Sequence, residues 1–112
     1  VTFKANTDDM RDSPSLLMIP KLSKKGAIIR YFDPTGLKKE FLGIKNIQNS
    51  NSIKDSVEGS DLVIIHTEWN DFKSINFKNI VKGKKFIIYD MRNIYSPSKI
   101  KEQGFKYYSI GR

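Results

Sequence analysis

Cysteine is absent from the 112 residues, which excludes disulfides, thiolate metal sites and a cysteine nucleophile. The absence fits a reducing compartment. Histidine occurs once, as His66, so a histidine metal cluster is excluded as well. The apolar run "DLVIIH" leading to His66 makes a strand-end or core position the plainer reading of that residue. No apolar stretch approaches the roughly 20 residues needed to cross a bilayer, and the first thirty residues lack the basic, then apolar, then small-residue order of a secretion signal. A soluble, cytoplasmic protein is the expectation. Arginine is scarce, four residues against sixteen lysines. No G-x-G-x-x-G is present, so the fingerprint of a dinucleotide-binding turn is missing.

The length suits one compact domain and is too short for a cofactor domain plus a substrate domain. The formal charge of +8 invites a phosphate-backbone partner, which requires a clustered basic face. The lysines are instead scattered along the chain, and asparagine and isoleucine are also abundant, so compositional bias accounts for the charge equally well. A free-standing basic binding module, for nucleic acid or another phosphate ligand, remains the alternative reading. The chain opens on Val1, with nothing before its first apolar run, and is expected to begin partway into a longer parent.

Five short apolar runs are separated by polar, helix-capable segments: "VTF" at 1–3, "AIIRYF" at 27–32, "LVIIH" at 62–66, "FIIYD" at 86–90 and "YYSI" at 107–110. This is the rhythm of parallel strands joined by crossover helices, and successive apolar side chains imply burial on both faces. Ser13 before Pro14 predicts a helix start. Leu16, Leu17, Ile19 and Leu22 form the stripe of that helix, Pro20 should kink it, and Gly26 suits a left-handed end. The segment 45–52, "KNIQNSNS", reads as loop; Ser52 caps a brief helix ending at Gly59, and Ser96 with Pro97 opens another. The fold class is therefore α/β: a three-layer, Rossmann-like open parallel sheet of about five strands with flanking helices, in the order 2-1-3-4-5.

Binding groups in such a sheet gather at the carboxyl ends of the strands. Lys4, Asp33, Thr67, Glu68 and Arg92 fall there. Lys4 and Arg92 offer a point charge and a planar donor fork, a combination that suits a diphosphate; the plain alternative for Lys4 is a solvated strand end. Arg11, in "DDMRDS", has acids on both sides and reads as a local ion-pair network. Asp8, Asp9 and Asp12 lack the ligand alternation and glycine of a calcium loop, and aim Arg11 rather than hold a metal. Asp33 stands where a carboxylate accepts ribose hydroxyls in dinucleotide folds, but Asp33-Pro34 is more simply a turn. Glu68 and Trp69 beside His66 resemble an acid–base site without a nucleophile, so Trp69 and Phe72 read as apolar anchors of a loop or an interface.

Five blocks in order, "FKANTDDMRDSPS" at 3–15, "YFDP" at 31–34, "DLVIIHTEWNDFK" at 61–73, "DMRNIY" at 90–95 and "GFKYYSIGR" at 104–112, resemble the C-terminal, UDP-binding domain of the UDP-glucose/GDP-mannose dehydrogenase family. The resemblance implies that residues 1–112 are the UDP-sugar-binding domain of a longer dehydrogenase, which oxidises the primary alcohol of a nucleotide sugar to a carboxylate with two NAD. It implies further parts that this chain lacks: an N-terminal NAD domain, a central dimerisation helix and a catalytic cysteine. The parent would be a homodimer or larger homo-oligomer, with NAD as its cofactor and none bound by this chain alone. Carried over by position, Phe3, Lys4 and Arg92 would contact the UDP-sugar, and Arg11 would reach NAD across the interdomain cleft. "TEWNDF" at 67–72 resembles the UDP-glucose branch. On this reading nucleic acid and membrane are not partners, and no catalytic residue or metal ligand lies within the chain.

Overall fold

A computed structural model describes residues 1–2, 4–81 and 85–110. The chain divides into two compact units, Val1–Ser56 and Val57–Arg112. In the first, α1 (Ser15–Lys24) begins where Pro14 has no N–H to lose, and the Ser15 amide donates to Ser13 Oγ at 3.3 Å. Pro20 lies inside the helix and leaves the Leu16 carbonyl without its usual donor. At the far end the Ala27 amide reaches back to the Leu22 carbonyl at 3.0 Å, with Gly26 at φ 96°. A residue with a side chain would be strained at that φ. β1 (Ile29–Tyr31) pairs in parallel with β2 (Ile47–Asn49), Ile29 opposite Ile47. Met10, Ile19, Tyr31 and Phe41 form the core of this unit, with Leu16, Met18, Ile29 and Ile47 packed against it. α2 (Ile53–Val57) follows, with Ser52 Oγ accepting from the Asp55 amide at 3.1 Å.

In the second unit β3 (Leu62–Ile65), β4 (Ile87–Asp90) and β5 (Tyr107–Ser109) are hydrogen-bonded side by side in that order, all parallel. The short helices α3 (Asn70–Lys73) and α4 (Pro97–Glu102) lie in the connections after β3 and β4. Phe77 and Ile88 are fully buried. The Phe77 ring meets Phe86, Tyr95 and Phe105 edge-on at 5.8, 5.5 and 6.2 Å between centroids. Such a cluster stabilises beyond its buried area alone.

Among the described residues the five strands are parallel in every pairing, as the alternation of apolar runs and helical segments predicts, and β3-β4-β5 keeps the predicted order of its last three members. Three expectations are corrected. Val1 and Thr2 are not a strand, and Phe3 lies outside the described residues. The backbone groups of these first residues are taken by side chains instead of a ladder: the Val1 and Thr2 nitrogens donate to Asp33 Oδ2, and the Val1 carbonyl accepts from the Ser13 and Ser15 hydroxyls. The place beside β1 belongs to β2, inside the stretch read as loop. Burial also alternates along β4, where Ile88 and Asp90 are buried while Ile87 and Tyr89 are exposed, as are Leu62 and Tyr108 beside them. One face of this sheet is thus not covered as a doubly buried strand would be. No helix among the described residues is long and apolar enough to cross a membrane.

Candidate functional site

Two buried aspartates, each at the carboxyl end of a strand, organise the loops that carry the candidate residues. Asp33 follows β1 and is 2% exposed. Its Oδ2 accepts from the Val1 and Thr2 nitrogens, each at 3.0 Å, and its Oδ1 from the Thr35 amide at 3.0 Å and hydroxyl at 2.6 Å. Buried Lys38 stands 3.8 Å away and donates to the Thr35 hydroxyl. Burial pushes the Asp33 carboxyl up, but in the 112-residue chain, with its free amino end at Val1, that ammonium, the Thr35 donors and the Thr2 amide outweigh it and hold it at about 2. With both oxygens engaged by the protein, Asp33 builds the turn closed by the Gly36 amide on its carbonyl at 2.8 Å.

Thr2, so fixed, leads into a cleft of about 220 Å³ lined by Lys4, Thr7, Asp9, Arg11 and Asp12. Arg11 spans Asp9 with Nε to Oδ1 at 3.0 Å and Nη2 to Oδ2 at 2.9 Å, while its amide donates to the same Oδ1. The guanidinium is 88% exposed, so the acid aims the arginine without burying it. The Arg11 side chain and amide hold Asp9 down at about 2, with Lys4 adding to the effect. Asn6 and Asp12 adopt left-handed backbone on either side, at φ 63° and 57°. The loop reaches this shape through short polar side chains that tolerate it.

In the second unit Asp90 ends β4 and is fully buried. Its Oδ1 accepts from the Arg92 amide at 3.0 Å, and its Oδ2 from the Ile94 and Tyr95 amides at 2.8 and 3.1 Å and the Tyr107 hydroxyl at 2.7 Å. The loop 91–95 is therefore wound around one carboxylate and tied to β5. Asn93 supplies its left-handed residue, φ 55°, and donates to the Ile110 carbonyl at 2.9 Å. Arg92 projects from this loop, a third exposed, and its Nη2 meets Glu68 Oε1 at 3.0 Å. Glu68 comes from the segment after β3, between fully buried Thr67 and buried Trp69. The Tyr95 hydroxyl donates to the Phe72 carbonyl in α3 and joins the two segments a second time. Burial, then the nearby Asp90 and Tyr107, push the Tyr95 phenol up, so it stays a donor throughout the physiological range.

Of the residues expected from sequence, Lys4 and Arg11 share one cleft, Arg92 stands on the rim of the second unit, and Phe3 lies outside the described residues. His66 is buried just past β3, and Trp69 and Phe72 are buried anchors. The organising roles of Asp33 and Asp90 were not read from the sequence. Their signal was the acid ending or following an apolar strand run, "YFD" and "IIYD".

Residues 1–97 match the model of the UDP-glucose/GDP-mannose dehydrogenase family, UDP binding domain. The chain is 35% identical over 113 residues to a UDP-glucose 6-dehydrogenase of Rhizobium meliloti and 38% identical over 114 residues to one of Rickettsia felis. All or nearly all of the chain is covered in these matches, 100% and 99%, but only 26% and 25% of the relatives, so it spans about a quarter of their length. Among solved structures it resembles NDP-N-acetyl-D-galactosaminuronic acid dehydrogenase from Methanosarcina mazei, with a TM-score of 0.81 at 23% identity over 98% of this chain and 23% of that one. It also resembles the UDP-D-ManNAc dehydrogenase of Pyrococcus horikoshii, with a TM-score of 0.66 at 26% identity over 99% of this chain and 24% of that one.

Proposed function

The chain belongs to the UDP-glucose/GDP-mannose dehydrogenase family, as its UDP-binding domain, and we propose that residues 1–112 are the C-terminal, UDP-sugar-holding portion of a longer NAD-dependent UDP-glucose 6-dehydrogenase. That enzyme would convert UDP-glucose to UDP-glucuronate. The observation that carries the reading is the match of nearly the whole chain to proteins of that name. A chain without cysteine contributes binding rather than covalent chemistry.

In this reading Phe3, Lys4 and Arg92 hold the UDP-sugar. Arg92 suits a diphosphate because its backbone is fixed by Asp90 and its fork stays partly exposed. Arg11, aimed by Asp9 and open to solvent, turns toward NAD. The chain offers no glycine-rich strand-to-helix turn for a dinucleotide pyrophosphate, so its residues fit a contact with NAD and not its cradle. When bound, NAD would supply the hydride acceptor. Its domain, the dimerisation helix and the catalytic cysteine belong to polypeptide outside these residues, in a homodimer or larger assembly. Its place in the cell is proposed as the cytoplasm, in keeping with a chain free of disulfides.

The test is a titration of the chain with UDP followed by NMR chemical shifts, beside labelled oligonucleotides near physiological salt. Saturable shifts centred on Arg92 and Lys4 are expected, with no salt-sensitive oligonucleotide binding and no NAD reduction in the presence of UDP-glucose. Tight, salt-sensitive oligonucleotide binding without UDP binding would establish a nucleic-acid module instead.

A further inference from the structure

We infer that Glu68 is a positioning residue for Arg92, holding the guanidinium in its binding pose by a single hydrogen bond before any anion arrives; this rests on the reading of Arg92 as a diphosphate ligand. An ion pair between exposed side chains is ordinarily worth little, because ordering two long side chains costs what the attraction returns. Here the main chain at both ends is already ordered by the fold, so only the side-chain rotamers remain to be set. The Arg92 amide is fixed on fully buried Asp90 at 3.0 Å. Glu68 is held between fully buried Thr67 and buried Trp69, and the α3 segment that follows is tied back to the Arg92 loop by the Tyr95 hydroxyl on the Phe72 carbonyl. Two residues 24 positions apart thus meet at 3.0 Å from anchored main chain, and the contact has only side-chain rotamers left to order.

The geometry of the contact separates positioning from simple neutralisation. Glu68 takes only Nη2 of Arg92, and among the described residues Nε and Nη1 have no protein partner. A bidentate clamp, such as Asp9 places on Arg11, would consume one edge of the fork. A single bond tethers one end of the guanidinium and leaves its other donors for a diphosphate. Glu68 is half exposed, so solvent screens its repulsion of an incoming anion, and the ordering effect is the larger.

The experiment measures UDP affinity and the order parameter of the Arg92 Nε–H in the 112-residue chain carrying Glu68→Ala, Glu68→Gln and Arg92→Ala, together with the Glu68→Ala/Arg92→Ala double variant. Glu68→Ala is expected to weaken UDP binding about fivefold and to lower the Arg92 order parameter. Glu68→Gln keeps an acceptor oxygen without the charge and should restore both to near wild type. In the Arg92→Ala background the Glu68→Ala change should cost nothing further, since Glu68 acts through Arg92. The inference is overturned if Glu68→Ala leaves the Arg92 order parameter unchanged, if it tightens UDP binding, or if its loss persists without Arg92. Wild-type affinity in the Arg92→Ala variant, or no UDP binding by the wild-type chain, would instead overturn the assignment of Arg92 to the UDP-sugar.

Discussion

Replacing Asp90 tests whether one buried carboxylate builds the Arg92 loop. Asp90→Ala removes the acceptor of three backbone amides, those of Arg92, Ile94 and Tyr95, and of the Tyr107 hydroxyl. Hydrogen bonds to a charged acceptor are worth about 1.5–3 kcal/mol each, but the four do not add. The partly buried Arg92 and Ile94 amides can turn to water, and removing a buried charge returns its desolvation cost. The net loss is set by the Tyr95 amide and the Tyr107 hydroxyl, both of which stay buried, and is expected at about 3–5 kcal/mol. That is a large share of the roughly 5–15 kcal/mol available to a chain of this size. Trp69 is the one tryptophan, lies buried in the same unit, and reports its unfolding by fluorescence. With a urea m-value of about 1–2 kcal/mol/M, the midpoint should fall by about 3 M. Asp90→Asn should lose less, about 2 kcal/mol, because the amide oxygen can serve the three donors on Oδ2 while its NH₂ faces only the Arg92 amide. A change in stability below about 1 kcal/mol for Asp90→Ala, at unchanged m, would refute the argument.

Three further outcomes are expected. The Asp33 carboxyl is held at about 2 against an ordinary 3.8, so its contribution, about 2 kcal/mol, is complete above pH 4 and is lost as the pH falls to 2. Asp9 titrates in the same window, so the stability difference between wild type and Asp33→Asn, followed from pH 5 to pH 2, isolates Asp33; a difference independent of pH would sink the assignment. Arg11→Ala should release Asp9 from about 2 toward its ordinary 3.8 in a carboxyl-carbon NMR titration, while UDP affinity stays within twofold. An unchanged Asp9 titration would show that Arg11 does not hold it. Arg92→Lys, which keeps the charge but not the fork, should weaken UDP binding by about 2 kcal/mol, or roughly thirtyfold, and equal affinity by calorimetry would remove Arg92 from the UDP site.

The fold was legible where local chemistry and long-range packing agree. Ser52 capping α2, Pro97 opening α4 and the left-handed Gly26 are each dictated by the residue's own stereochemistry. The strands "LVII" and "IIYD" announce themselves because β-branched residues run together. β2 did not, because "IQN" carries one β-branched side chain among amides, and only its pairing with Ile29–Tyr31 makes it a strand. Residues 1–2 failed in the opposite direction. Their β-favouring side chains predict a strand, but a carboxylate 31 positions away from Thr2 satisfies the amides that a ladder would have used, and no window of sequence around Val1 contains that information.

The candidate site divides along the same line. Lys4, Arg11 and Arg92 are the candidates that sequence offers, because cations in otherwise apolar or acidic surroundings stand out. What gives those cations a defined direction was not legible. Asp33 and Asp90 look alike in sequence to any acid that ends a strand, yet each converts a flexible return into a fixed loop by accepting several main-chain amides at once. Each lies at the carboxyl end of a parallel strand, where successive amides after the strand are free of the ladder and need acceptors. A carboxylate buried there is stabilised by those amides and in turn orders them. The main chain of the residue beside it is then held in one conformation. On the proposed reading, this main-chain anchoring lets one half-exposed carboxylate, Glu68, steer Arg92, two residues past Asp90, where the same contact on a mobile loop would count for almost nothing.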